Sequence, residues 1–398
     1  MVGVPCCVAL TGVRHALRLL GLEHPEAPIH RICFFKLAEQ GATVLAYDAL
    51  VRACDMAGRE NVFFCVFEKN REILDLLEVI PPENVIPIRD SGFPAFALDT
   101  ARALVRLRRL NIDAAIDMEL FARITAMLCF LSGAKRRVGL HHFAMEGVHR
   151  GNLFTHRMHY NPYLHMRNLY DLEVRAVARA PQETPAGKVS LPELPPFPFR
   201  FEPRGEEVAR VRGLLAERGV DLERQKLVIM NPKCGDMVPI RKWPDERYSE
   251  VGRRLLAEYG DVAVAVTGLE SERDAVDALC RGMDSGRAVS LAGALTLREL
   301  IVLLSLGDVL FTSDSGPAHF AAMTEIDIVV LFGPETPRLY GPVSPRTRVV
   351  CKELGCSPCV NALNHRESNC PDNQCMKLIE VEDALDAIRQ CLQARGAG

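Results

Sequence analysis

The sequence has no uninterrupted apolar run approaching the ~18 residues that a membrane-spanning helix needs, which excludes a chain threaded through a bilayer by helices. It has little net charge. Its 48 Lys and Arg against 51 Asp and Glu leave −3, so no global basic field draws it to nucleic acid. No Gly-x-Gly-x-x-Gly follows a candidate strand, which argues against a nicotinamide dehydrogenase. There is no Walker loop, no Gly-x-Ser-x-Gly elbow, no His-Glu-x-x-His pair and no Asp-x-Asp pair to hold a divalent metal on a substrate. No repeat of solenoid period is present.

What is present is globular. With 398 residues, 48% apolar and 25% charged, the chain suits two or three domains and excludes disorder, coiled coil and collagen. The 14 cysteines are mostly scattered through apolar runs, in a chain too long for a disulfide framework, so a reducing cytosol is expected. Met1 to Leu10 is apolar, but Arg14 and Arg18 follow it, the reverse of a secretory signal. Val8–Leu20 fits an amphipathic helix with Val13, Leu17 and Leu20 on one face and Arg14 and Arg18 on another. Such a helix either packs on the body of the protein or lies on an anionic membrane surface.

From Arg31 onward, short apolar runs alternate with helical periods, as in βαβ units on a parallel sheet. Strands are expected at Ile32–Phe35, Val62–Phe67, Val85–Ile88, Ile112–Asp117 and Arg137–Leu140. A proline-rich stretch over 181–204 reads as a linker, because proline lacks the backbone N–H and disfavours helix before it. The alternation then restarts with Leu227–Asn231, Val262–Thr267, Ala288–Leu291, Val309–Thr312 and Ile328–Phe332. The expected organisation is an amphipathic segment 1–30, an α/β domain 31–180, the linker 181–204, a second α/β domain 205–380 and a final helical segment 381–398.

The most informative segment ends the Val309–Thr312 strand: Asp314-Ser315-Gly316-Pro317-Ala318-His319. A polar turn opens at once into a helix, whose free N–H groups suit an anion such as pyrophosphate, or which Asp314 or Ser315 simply caps, with His319 packed. Leu331-Phe332-Gly333-Pro334-Glu335-Thr336-Pro337 follows it. Phe35-Lys36-Leu37-Ala38-Glu39-Gln40-Gly41-Ala42-Thr43-Val44-Leu45 forms an early glycine loop, and Asn231-Pro232, Arg241-Lys242-Trp243-Pro244 and Thr267-Gly268-Leu269-Glu270 lie at later strand ends. In this order and spacing, over most of residues 31–385, these motifs resemble glycosyltransferase family 9, the heptosyltransferase family of lipopolysaccharide core synthesis.

The resemblance implies a GT-B architecture: two Rossmann-like, doubly wound parallel-sheet domains facing across a cleft, the first binding acceptor and the second a nucleotide sugar, with the last helix returning to the first. It implies a metal-independent, inverting glycosyltransferase acting on a lipid-linked glycan, with ADP-heptose as the family's usual donor. Asp314, Ser315, Gly316, Pro317 and His319 match the family's pyrophosphate and sugar contacts. Lys242 matches a phosphate-neutralising lysine, although by itself it reads equally as a solvated loop lysine. Glu270 matches the nucleoside-holding acid and Leu295 a position beside the base. Gly41 belongs to the acceptor side. The family's presumed catalytic aspartate is replaced by Ala42, which cannot take a proton. Glu39 is the first candidate base, then Asp117, then Glu119; Glu39 otherwise reads as a carboxylate complementing a helix start.

Residues 135–167 are basic and rich in histidine, with Glu146 their only acid. Arg136, Arg137 and Arg150 in this stretch suit an acidic acceptor, or else form a solvated surface. Cys356-x2-Cys359 and Cys370-x4-Cys375 have spacing that permits a structural zinc; reduced thiols or a disulfide are the alternatives. The expected localisation is cytoplasmic, peripheral on the inner membrane. Two other functions fit the same scaffold: a non-catalytic nucleotide-sugar-binding protein, favoured by Ala42, and a nucleotide-sugar epimerase.

Overall fold

The computed structural model describes residues 3–143, 149–191, 194–233, 235 and 238–396. The chain divides into two compact units. The first runs to Leu194 and includes Asn361–Arg366; the second comprises Pro195–Val360 and the chain from Glu367. The division falls inside the proline-rich 181–204 stretch.

The first unit holds a parallel six-stranded sheet of β1 (Ile32–Phe35), β2 (Val62–Phe67), β3 (Val85–Ile88), β4 (Ala114–Asp117), β5 (Arg136–Leu140) and β6 (His156–Met158), in the order β3-β2-β1-β4-β5-β6. Its helices are α1 (Gly3–Leu19), α2 (Gln40–Leu45), α3 (Tyr47–Ala57), α4 (Glu72–Leu77), α5 (Phe93–Arg109), α6 (Arg123–Leu131) and α7 (Met166–Val177). β1 and β4 are buried along their whole length. Strands covered on both faces read as continuous apolar runs, which is why periodicity marks them well.

The second unit repeats the plan with β7 (Lys226–Asn231), β8 (Val262–Val266), β9 (Ala288–Ser290), β10 (Val309–Ser313), β11 (Asp327–Phe332) and β12 (Thr347–Cys351), in the order β12-β11-β10-β7-β8-β9, all parallel. Its helices are α8 (Gly205–Ala216), α9 (Asp245–Glu258), α10 (Arg273–Gly282), α11 (Leu297–Leu306), α12 (Gly316–Ala321), α13 (Pro337–Tyr340), α14 (Gln374–Lys377) and α15 (Val381–Gly396). In each sheet the winding reverses between two central strands, β1 and β4 in one and β10 and β7 in the other. The crevice beyond the carboxyl ends of such a pair is where doubly wound sheets hold ligands.

Two expectations are corrected at the chain ends. The last helix belongs to the second unit: Ala384, Leu385, Ile388, Cys391 and Leu392 are buried in that unit's core, against β10 to β12 and α9. Helix α1 forms where an amphipathic helix was expected, but with the opposite face inward. Cys7 and Arg14 are buried, and Arg14 donates to Glu23, the Asn152 carbonyl and the Phe154 carbonyl. Val8, Val13, Leu19 and Leu20 are left exposed. A guanidinium with carbonyl and carboxylate partners can be buried at less cost than its charge suggests, so polarity misled the assignment.

Candidate functional site

In the first unit, the strand ends at the winding reversal carry charge. Lys36 follows β1, is 1% exposed, and places Nζ 3.1 Å from Glu39 Oε2 and 3.2 Å from Glu119 Oε2. Burial alone would depress its ammonium, yet the Glu119 and Glu39 carboxylates outweigh burial and hold its pKa above the ordinary value. Glu119 Oε1 also accepts from the Leu37 and Ala38 backbone N–H groups at 2.8 and 3.0 Å. Glu119 therefore fixes the loop between β1 and α2 with both oxygens occupied.

Glu39 stands at the start of α2 with φ 69°, a left-handed conformation rare for a residue with a side chain, and caps no N–H of that helix. Its carboxylate turns instead to Lys36 and to Arg366. Burial pushes this carboxyl up, but Lys36 and then Arg366 dominate and hold it at about 2. At 24% side-chain exposure Glu39 is the most open of the three candidate bases, against 13% for Glu119 and 0% for Asp117. Gly41 is buried within α2.

Asp117, the last residue of β4, accepts from Thr125 Oγ1 and the Glu119 N–H at 3.0 Å each and pairs with Arg150. Burial pushes its carboxyl up to about 6, against the pull of Arg150. Enclosed in this way it cannot meet an acceptor hydroxyl, so Asp117 supports the site from beneath. The expected acceptor patch is corrected for the same reason at Arg137 and Arg150, while Arg136 is half-buried. Arg150 is 0% exposed and also donates to the Ala122 and Leu140 carbonyls. Arg137 donates to the Leu153 and Ala134 carbonyls and pairs with Glu23. Arg136 donates to the Ala27 and Val177 carbonyls. These three guanidiniums tie loops and helix ends to the sheet. Glu146 lies outside the described residues.

In the second unit the corresponding strand ends carry few charges. β10 runs into Asp314, Ser315 and α12, and Ser315 Oγ lies 3.1 Å from Thr312 Oγ1 without capping the helix. Asp314 does not cap it either: its carboxylate lies 3.3 Å from Arg241 Nη1, which is 3.4 Å from Glu335. All three are buried. Gly316 and Pro317 form the first turn of α12, and His319 is buried one turn in. At the end of β7, Asn231 is 7% exposed; its Nδ2 donates to Thr267 Oγ1 and its Oδ1 has no partner among the described residues. An unpaired buried acceptor in a strand-end crevice suits a ligand donor. Lys242 is exposed beside the buried Trp243, whose indole N–H donates to the Ile379 carbonyl. Glu270 is exposed and pairs with Arg273. It crosses closely over Gly293, whose φ of +67° and lack of a Cβ allow the approach: a Cβ there would lie 2.8 Å from the Glu270 Cα. Leu295 follows two residues later, half-buried.

The late cysteines lie near one another without forming a metal centre. Burial, then Cys359, Cys370 and Cys356, raise the Cys375 thiol. Yet among the described residues no three His, Cys, Asp or Glu side chains are placed to share an ion. The expected zinc at Cys356, Cys359, Cys370 and Cys375 is therefore not formed: Cys356 and Cys370 point to solvent while Cys375 packs under Gly333.

The model of glycosyltransferase family 9 (heptosyltransferase) matches residues 101–369, about two thirds of the chain. The chain belongs to that family. Among curated relatives, lipopolysaccharide heptosyltransferase 2 of Salmonella typhimurium is 28% identical over 115 residues, which are 28% of this chain and 32% of the relative. Its Escherichia coli counterpart is 27% identical over the same length. The aligned part thus spans about a third of these relatives. Among solved structures, E. coli ADP-heptose heptosyltransferase II matches with a TM-score of 0.69 at 17% identity, over 92% of this chain and 99% of that one. A family 9 glycosyltransferase of Veillonella parvula matches with 0.68 at 18%, over 92% and 97%. E. coli heptosyltransferase WaaC, solved with ADP-2-deoxy-2-fluoro heptose, matches with 0.58 at 14%, over 92% and 99%. At such identities the likeness is one of fold, and that fold is GT-B. Sequence reading missed Arg241, Glu335 and Arg366, charged residues inside or beside motifs whose pairing only the fold creates.

Proposed function

We propose that this chain is an inverting glycosyltransferase that moves a sugar, heptose by the family's habit, from a nucleotide diphosphate donor to a hydroxyl of a lipid-linked glycan in lipopolysaccharide synthesis. Family membership carries the proposal, supported by the uncapped Asp314–His319 turn at the end of β10 and the unpaired Asn231 Oδ1 beside it. In this reading the N–H groups of the α12 turn, His319 and Lys242 stabilise charge on the departing diphosphate, with Asp314 held in place by Arg241. Glu270 and Leu295 flank the nucleoside. Glu39 accepts the acceptor proton, and no metal takes part.

The test is release of ADP from ADP-heptose, followed with and without a heptose-deficient lipopolysaccharide acceptor. Acceptor-dependent release supports transfer. A donor that binds but never turns over would instead favour a nucleotide-sugar-binding protein, the reading that Ala42 and the tightly paired Glu39 favour.

The acceptor's lipid also gives α1 a role. Its outward side bears Val4, Val8, Val13 and Leu19, and residues 3–22 contain no acid. With Arg18 59% exposed at its edge, we infer that α1 lies on an anionic membrane surface. No helix among the described residues is long and apolar enough to cross a membrane. Val8→Asp/Val13→Asp should abolish co-flotation with phosphatidylglycerol vesicles. Unchanged flotation refutes the inference.

A further inference from the structure

The first unit contains one short segment from far along the chain. Asn361–Arg366 belongs to it, although Val360 and Glu367 belong to the second unit. The segment is tightly specified. Asn361 caps the turn Ala362–Asn364, accepting from the Leu363 and Asn364 N–H groups, and Ala362 is buried. His365 and Arg366 then both adopt left-handed backbone, with φ 56° and 59°. Two successive residues with side chains in that region cost free energy and persist where the surroundings impose them. Glu39, which Arg366 meets, is itself left-handed. Strained backbone on both sides of one ion pair marks the pair as something the fold is built to make.

Among the described residues, the charges paired at this point come in equal number. Lys36 and Arg366 supply two positive charges, Glu39 and Glu119 two negative ones. Tyr170 and Glu173 of α7 are buried nearby, and burial holds the Glu173 carboxyl well above its ordinary pKa. Asp117 and Arg150 below form their own pair. Lys36 is enclosed between two carboxylates and cannot leave them. Arg366 keeps 13% of its side chain exposed, beside the most open carboxylate of the group. Arg136, Arg137 and Arg150, to which an acidic acceptor was first assigned, are bound to carbonyls and carboxylates of the unit itself.

We propose that Arg366 is the acceptor-anion residue of this site: a phosphate or carboxylate of the acceptor draws its guanidinium from Glu39, and the freed carboxylate takes the proton of the attacking hydroxyl. This rests on the transferase reading above. When Arg366 turns to the incoming anion, Glu39 shares Lys36 with Glu119, the local charge falls by one, and Glu39 becomes more basic. The hydroxyl proton then passes to Glu39, the acceptor oxygen bonds to the anomeric carbon, and the bond from that carbon to the diphosphate oxygen breaks, its electron pair leaving with the nucleoside diphosphate. Glu39 returns the proton to solvent. An acceptor lacking the anion would leave the base paired, so the exchange also discriminates among acceptors.

Inorganic phosphate is the probe, added to the full-length protein with 13C-labelled Glu side chains. In the wild type, phosphate should shift the Glu39 carboxyl resonance and raise its titration midpoint. In Arg366→Gln the midpoint should already be raised, and phosphate should move it no further. Arg366→Lys should recover part of the phosphate response, which separates exchange from a folding defect. With acceptor, Arg366→Gln should raise the acceptor KM by about tenfold to a hundredfold, the range of a lost charge-assisted contact, and leave ADP affinity unchanged. A phosphate response that is absent from the wild type, or identical in Arg366→Gln, overturns the proposal. If the response behaves as expected but no sugar is transferred, the exchange stands and the transferase reading fails.

Discussion

The two units use the same six-stranded topology, yet the crevices at their winding reversals are furnished in opposite ways. The first is filled by side-chain charge: Lys36, Glu39, Glu119, Asp117, Arg150 and Arg366 form linked pairs, most of them enclosed. The second offers backbone and small polar groups around Ser315 and Asn231, with one buried arginine between two acids. The contrast follows from the chemistry proposed for each. A proton acceptor needs its charge held by neighbours that can be rearranged. A diphosphate brings its own charge and needs vacant donors, which added side-chain carboxylates would oppose.

The comparison breaks first at Arg150. Replacing it with methionine leaves Asp117 enclosed without its cation, and should destabilise the first unit by about 3–5 kcal/mol in urea unfolding. Nucleotide binding, proposed for the other unit, should survive wherever the protein remains folded. Glu39→Gln comes next: turnover should fall roughly 10²–10⁴-fold with donor affinity intact, and retained turnover would remove Glu39 as base. Arg241→Gln probes the opposite crevice. It leaves Asp314 and Glu335 uncompensated beneath the α12 turn, so ADP affinity measured by calorimetry should drop by at least tenfold while the Glu39 titration is unaffected. The smallest effect is in acid. Because Glu39 is held at about 2, below its ordinary 4.5, its pairing stabilises the fold above pH 4.5 and that contribution fades as pH falls from 4.5 toward 2. Glu39→Gln should flatten this part of the stability profile. The opposite slope belongs to Asp117, whose raised pKa favours the fold below its ordinary 3.8, an advantage lost as pH rises through about 6.

Buried strands were the most legible part of the sequence, since β1, β2, β3 and β8 are continuous apolar runs ended by polar turns. The sheet edges were less so. β6 reads His-Arg-Met and β12 mixes exposed with half-buried residues, and neither carries a buried apolar run to detect. The candidate donor turn was visible because strand, turn and helix are consecutive in the chain. The charged crevice was half visible: Glu39 and Glu119 could be named, but sequence does not reveal that 83 residues separate Lys36 from a carboxylate it touches, or 327 separate Glu39 from Arg366. Basic side chains misled for one consistent reason. Arg14, Arg137 and Arg150 look solvent-seeking by composition, yet each finds carbonyls and a carboxylate inside the fold.

The re-entry of residues 361–366 bears on how this chain can be divided. A fragment ending at 194 would contain the whole first sheet and still lack the guanidinium that neutralises Glu39, while a fragment beginning at 195 would carry a six-residue loop whose native neighbours are missing. The two halves of the sheet architecture are therefore not two separable proteins, and dissecting them requires a graft or a linker rather than a cut.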